Sequence, residues 1–378
     1  MRVLLINAAA DPSGPGGICA RLAQDYAAQG HEVTIAYGRY GTVAPASRPF
    51  ARRIGTPLDV RLHAVKSMLL DAHGLGSRRA TKRFLAWAET WKPDLVWLHN
   101  LHGYYVNYEL LFAWLKQHPE LEVRWTLHDC WAFTGHCSHY MAVGCEQWKT
   151  GCRTCPERKR YPKSLLLDRC ADNYRRKKAA FTGVKSMTLI TPSKWLADQL
   201  TMSFLKEYPV EVHYNTINRE IFKPTQGDFR ETHGLVGKRI VLGVAFNWNM
   251  RKGFEDFLAL SKLLDESYRI VLVGLEQKQL QSLPENILGL PRTGSARELA
   301  EIYTAADVFV NPTHEDNYPT TNLEAQACGT PVITYDTGGS PESVPPENVV
   351  PCGDVQALAG RIRELTQQKA QEYRYGSL

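Results

Sequence analysis

The chain has 378 residues, 44% of them hydrophobic and 22% charged, with a formal net charge of +6. These values exclude a disordered, collagenous or low-complexity chain and leave enough length for two cores. Residues 1–8, MRVLLINA, hold only a short apolar run, too short for a secretory segment, and no stretch nears the ~18 apolar residues of a membrane span, so a cytoplasmic location is expected. Nine cysteines in such a chain argue for reduced thiols or a metal site over a disulfide framework.

In chain order, RVLLIN reads as a buried strand, the loop AAADPSGPGG follows, and Ile18, Leu22 and Tyr26 recur at helical spacing up to Gly30, where a helix would stop. EVTIAY is the next strand, which makes a β-loop-α-β unit and begins a parallel sheet. PDLVWLH and EVRWTLH read as further strands, each ending in a histidine, and MTLITP leads into a helical SKWLADQL. The first domain is expected over 1–215, with a cysteine-rich insertion at about 130–160. A second β/α series, RIVLGVAF, YRIVLVG, DVFVNP and PVITYD, occupies 216–378, and the aperiodic NTINREIFKPTQGD suits a hinge. The expected class is α/β, two Rossmann-like doubly wound domains facing a central cleft, with ligands at the C-terminal ends of the strands.

The chemistry-bearing motifs follow strands. GPGG (14–17) opens the first helix, where free N–H groups favour an anion; a plain tight turn reads equally well, and the spacing is not that of a dinucleotide fingerprint. FNWNMRKGF (246–254) sets Arg251 and Lys252 beside Gly253, either a paired cationic site for a diphosphate or two exposed loop charges. TLHDCWAFTGHC (126–137) puts His128 and Asp129 at a strand end, where a histidine can bond a substrate hydroxyl, although a lone histidine is more often structural. HEDNYPTTNLEAQACGTPV (314–332) follows DVFVNP, so Glu315 and Asp316 lie at the same kind of strand end and Glu324 on the next helix. Carboxylates accept paired hydrogen bonds from adjacent sugar hydroxyls, which suits the ribose of a nucleotide-sugar.

These motifs resemble, over essentially the whole chain, the retaining two-Rossmann-domain (GT-B) glycosyltransferases of family 4: the N-terminal Gly-Gly loop, GHEVTIAY, ITPSKWLADQL, NTINREIFKP, the RKG loop and CGTPVITYDTGGSPE. Asp316 and Glu324 have the family's spacing of two acids separated by seven residues. More narrowly, WTLHDCWAFTGHC, GCEQWKTGCRTCP and EDNYP resemble the colanic acid and capsular polysaccharide branch. The resemblance implies that Glu324 holds the nucleotide ribose, that Asp316 or its neighbour Glu315 contacts the donor sugar or its phosphate, and that His128 lies near the transferred sugar. Arg251 and Lys252 would bind the diphosphate, Gly17 would approach donor or acceptor, and Asn317 groups with the donor-binding residues. Two departures stand out: the first acid of the pair is usually Glu, and the usual Arg ahead of the loop lysine falls on Asn247.

The implied reaction moves a sugar from a nucleoside diphosphate donor to a lipid-linked saccharide with retention, in cell-surface polysaccharide synthesis. The departing phosphate would act as base, and no cofactor is implied for catalysis. A nucleotide-sugar epimerase on the same plan is the alternative. Basic runs RRATKR (78–83), ERKR (157–160) and RRKK (175–178) suit either solvated helix faces or an anionic membrane surface. They lack the interleaved aromatics of a nucleic-acid site, so no nucleic acid is expected. Cys137, Cys145, Cys152 and Cys155, spaced C-x7-C-x6-C-x2-C, read as a structural zinc site, a disulfide pair or packed thiols.

Overall fold

A computed structural model describes residues 1–10, 14–39 and 43–375. The chain divides into two compact units, Met1–Tyr214 and the residues from Asn215 onward. In the first, strands β1 (Arg2–Ile6), β2 (Glu32–Tyr37), β3 (Ala51–Arg53), β4 (Leu95–Leu98), β5 (Glu122–Thr126), β6 (Met187–Thr191) and β7 (Val210–Val212) form one sheet in the order β3-β2-β1-β4-β5-β6-β7. Every pairing is parallel, β1 meeting β4 with Val3 opposite Leu95 and Ile6 opposite Leu98.

The apolar run of β1 is continuous because both sheet faces are covered. Val3 and Leu5 point to one face, against Cys19 and Ala23 of the helix Gly14–Ala28. Leu4 and Ile6 point to the other, against Phe84 and Ala88 of the helix Arg78–Trp91. Each such leucine or isoleucine stabilises the fold by about 1.5–3 kcal/mol relative to exposure.

In the second unit, β8 (Arg239–Val244), β9 (Tyr268–Val273), β10 (Ile287–Leu290), β11 (Val308–Asn311), β12 (Val332–Tyr335) and β13 (Val349–Val350) run β10-β9-β8-β11-β12-β13, again all parallel. Ile240 and Leu242 pack on Ala300 and Tyr303, while Val241 packs on Phe257 and Leu358 on the opposite face. Chain order reverses between β1 and β4 in the first sheet and between β8 and β11 in the second. At such switch points the loops leaving the C-terminal strand ends splay apart and leave room for a ligand. Among the described residues no helix is long and apolar enough to cross a membrane.

Candidate active site

The switch point of the second sheet carries the RKG loop after β8 and the acidic loop after β11. Gly253 adopts φ 72°, and a Cβ there would fall 2.2 Å from the carbonyl oxygen of Pro312, so only glycine lets the two loops touch. His314 N–H and the Thr313 hydroxyl both donate to the Arg251 carbonyl, at 2.8 and 3.2 Å, and fix the register between the loops. Lys252 Nζ donates to Asp316 Oδ2 at 2.5 Å, and the two side chains are 25% and 17% exposed. Asp316 Oδ1 accepts from the backbone N–H of Asn317 at 2.9 Å, which holds the carboxylate toward the lysine. A partly exposed, charge-assisted pair of this kind is oriented and still accessible to a ligand.

Arg251 has no ion-pair partner among the described residues. Glu315, by contrast, is 2% exposed, and its carbonyl accepts the Thr313 hydroxyl at 3.0 Å. Asn317 is buried as well. Below this layer, His314 Nε2 bonds Asp256 Oδ2 at 2.8 Å, and Tyr335 O–H donates to the other Asp256 oxygen at 2.8 Å. The bond to Asp256 raises the His314 pKa, with burial opposing.

Glu324 stands on the helix Thr320–Ala327, where Tyr303 O–H donates to its Oε2 at 3.1 Å. Burial raises its carboxyl above the ordinary range, and hydrogen bonds from Tyr303 and Thr320 oppose that rise. A half-buried carboxylate that still has acceptor capacity is suited to further hydroxyl donors.

In the first unit, Gly17 is buried in the helix Gly14–Ala28, which leaves the β1 end of that sheet's switch point. His128 follows β5 and is not a solitary histidine: its Nε2 bonds His99 Nδ1 at 3.0 Å, and the rings stack at 5.3 Å. Burial lowers its pKa to about 4, so near neutral pH the ring is uncharged and hydrogen-bonds without supplying positive charge.

Next to it lies an arrangement that sequence reading did not single out. His102 Nε2 bonds Asp129 Oδ2 at 2.8 Å, and His102 Nδ1 bonds the Tyr161 hydroxyl at 3.0 Å. Burial opposes ionisation of Asp129, yet the His102 ring and its hydrogen bond outweigh burial and hold the carboxyl below its ordinary range. With Asp129 ionised, Nε2–H donates to it, and the opposite ring nitrogen shares a hydrogen bond with the Tyr161 phenol, so the ring bridges the two groups. The available signal was the histidine in HNLHG, just past the end of β4.

The cysteine set differs from the one that spacing suggests. Cys137 and Cys170 flank Cys155, Cys170 also neighbours Cys152, and Cys145 lines the same hollow. Among the described residues no three His, Cys, Asp or Glu side chains form a ready-made metal site, while Cys137, Cys145, Cys152 and Cys155 line one small hollow together with Cys170. Cys170, at the start of the helix Cys170–Phe181, falls outside the sequence cluster and was missed for that reason. The cluster packs beside Lys177, whose Nζ donates to Trp131 O at 2.6 Å and lies 3.7 Å from the Trp131 ring centre. Burial lowers the Lys177 pKa to about 7, against the thiols Cys137, Cys152 and Cys170, which favour its charge. Of the basic run 175–178, Lys177 is thus used in packing and Arg176 pairs with Glu109 at 2.8 Å.

Two tandem doubly wound units with charged loops at a switch point define the GT-B class of fold. Solved structures agree: sucrose-phosphate synthase from Thermosynechococcus elongatus aligns with a TM-score of 0.70 at 20% identity, covering 99% of this chain and 98% of that one. Anabaena HepE in complex with UDP aligns with a TM-score of 0.68 at 14% identity, covering 98% and 91%. The Glycosyltransferase Family 4 model matches residues 12–221, and the Glycosyl transferases group 1 model matches 238–368. The chain belongs to glycosyltransferase family 4. Among curated relatives, WcaC of Escherichia coli K12, assigned as a colanic acid biosynthesis glycosyl transferase, is 26% identical over 260 residues, 66% of this chain and 62% of WcaC. The 2-deoxystreptamine N-acetyl-D-glucosaminyltransferase of Streptomyces fradiae is 30% identical over 37% of each chain. The chain therefore matches less than two thirds of the length of these relatives.

Proposed function

We propose that the protein is a glycosyltransferase that moves a sugar from a nucleoside diphosphate-sugar to a hydroxyl of a lipid-linked saccharide in cell-surface polysaccharide synthesis, with retention at the anomeric carbon. The observation that carries this reading is the Lys252–Asp316 pair, held between two loops at the β8/β11 switch point. Similarity to WcaC supports the polysaccharide context, and UDP in the HepE structure supports a nucleoside diphosphate as ligand.

In this reading Arg251, with no ion pair among the described residues, and Lys252, already oriented by Asp316, stabilise the charge that grows on the diphosphate as the sugar C1–O bond breaks. Asp316 also contacts the sugar or its phosphate, with Glu315 and Asn317 packed beside it. Glu324 takes the ribose hydroxyls. The acceptor oxygen bonds to C1 from the face the diphosphate leaves, and its proton passes to the departing phosphate. His128, uncharged, offers a hydrogen bond to the transferred sugar, and Gly17 marks the helix start near donor or acceptor. Such catalysis rests on positioning and charge, without a strong protein nucleophile.

A thermal-shift panel of UDP-, GDP- and ADP-sugars tests the donor part. One base should raise the melting temperature by several degrees at saturating ligand, because binding to the folded state stabilises it by mass action. No shift with any of the three would reject the reading.

A further inference from the structure

The helix Pro57–Leu70 buries a single large apolar side chain and shows most of its leucines to water. Its buried residues are Val60, His63 and Ser67. His63 accepts the Gly76 N–H at Nε2 (3.0 Å) and meets the Ser77 hydroxyl at Nδ1 (3.0 Å), so polar contacts hold the helix down. Leu58, Leu62 and Val65 are one and two turns apart on the outer face and are 62%, 61% and 47% exposed. The helix end is tied to a second apolar stretch, since Leu165 N–H donates to Met68 O at 2.7 Å. There Leu165, Leu166 and Leu167 are 45%, 66% and 38% exposed. A contiguous apolar surface of this kind marks an interaction site.

Its charge says what kind. Between 158 and 169 the chain carries five basic residues, Arg158, Lys159, Arg160, Lys163 and Arg169, against the single acid Asp168. Asp168 is exposed too, but its two oxygens accept from the N–H groups of Cys155 and Cys170, so one bound acid faces five basic residues. Lys159, Lys163 and Arg169 are exposed beside the leucines, as are Arg61 and Lys66 on the helix. A second copy of the chain would bring like charge against this rim, whereas anionic lipid headgroups complement it and leave the acyl boundary to the leucines.

We propose that this leucine ridge, formed by the outer face of Pro57–Leu70 and by residues 165–167, is a docking face for a bilayer containing anionic lipid. The inference deepens the lipid-linked acceptor in the reading above and rests on it for its purpose. Vesicle binding is nonetheless read without donor or acceptor, so either can fail alone.

Flotation of the full chain with vesicles provides the test. The protein should float with vesicles of mixed phosphatidylcholine and phosphatidylglycerol, float less with phosphatidylcholine alone, and be partly released by high salt. Leu62→Asp with Leu166→Asp should lower the partition coefficient by more than about tenfold. Lys159→Glu with Lys163→Glu should remove the preference for the anionic vesicles. Both variants should melt within about 2 °C of the parent, since the changed side chains are exposed, which separates lost docking from lost folding. A parent chain that does not float, a leucine variant that floats as the parent does, or a ridge-dependent dimer in sedimentation equilibrium without flotation would each overturn the proposal.

Discussion

Asp316→Asn should lower sugar transfer by about a hundredfold or more, and Glu315→Gln by far less. The two carboxylates are adjacent in sequence but differ in setting. Asp316 reaches Lys252 at 2.5 Å with a side chain 17% exposed, whereas residue Glu315 is 2% exposed. Removing the charge of Asp316 frees Lys252 from its partner and takes away one group proposed to meet the sugar, so the loss should appear in kcat as well as in KM. Glu315→Gln should instead appear mainly as a lower melting temperature, as expected for a change at a buried position. Initial rates together with thermal melts separate the cases. Equal small effects on rate would remove both carboxylates from the site.

Glu324→Gln should weaken binding of the bare nucleoside diphosphate more than about tenfold, because it keeps the shape and removes charge-assisted bonds of roughly 1.5–3 kcal/mol each. The same substitution should not destabilise the ligand-free protein near neutral pH. Burial raises the Glu324 carboxyl pKa, so its contribution to stability is fully present below the unfolded value of ~4.3 and is lost as pH rises through the higher folded value. Glutamine has no such titration. The melting temperature of the variant relative to the parent should therefore increase between ~pH 4 and ~pH 7. Calorimetry measures the affinity and a pH series of melts measures the rest; an unchanged dissociation constant would reject the ribose assignment.

Elements whose local pattern and tertiary environment agree were legible in the sequence. RVLLI, RIVLGV and YRIVLV are apolar because parallel strands are covered on both faces, and their runs could be read without the fold. The edge strands Ala51–Arg53 and Val210–Val212 were not legible: ARR and VEV are too short to show a period, and strand pairing alone defines them. The helix Pro57–Leu70 was missed for a different reason, since its leucines face outward and its anchoring contacts come from His63.

The site divides in the same way. Lys252, Asp316 and Glu324 lie at strand ends and on the helix that follows, so motif position alone placed them in one unit near one switch point. The Asp129–His102–Tyr161 hydrogen bonds join residues from three separate segments, and the link from Cys170 to Cys155 joins a helix start to a loop. No spacing rule reaches across such distances in sequence, because the contacts exist only once the chain has folded.

Transfer of a sugar from a nucleotide to an acceptor is the reaction on which all the proposed residue roles depend. Its most direct measurement is mass spectrometry of products after incubating the protein with the nucleotide-sugar that stabilises it, with and without a saccharide carried on a lipid diphosphate. The acceptor should become heavier by one sugar, with a matching release of nucleoside diphosphate, only when both substrates are present, and the proton coupling of the purified product in nuclear magnetic resonance should show the donor's anomeric configuration kept. An unmodified acceptor, or a nucleotide-sugar converted to its epimer when no acceptor is added, would contradict it.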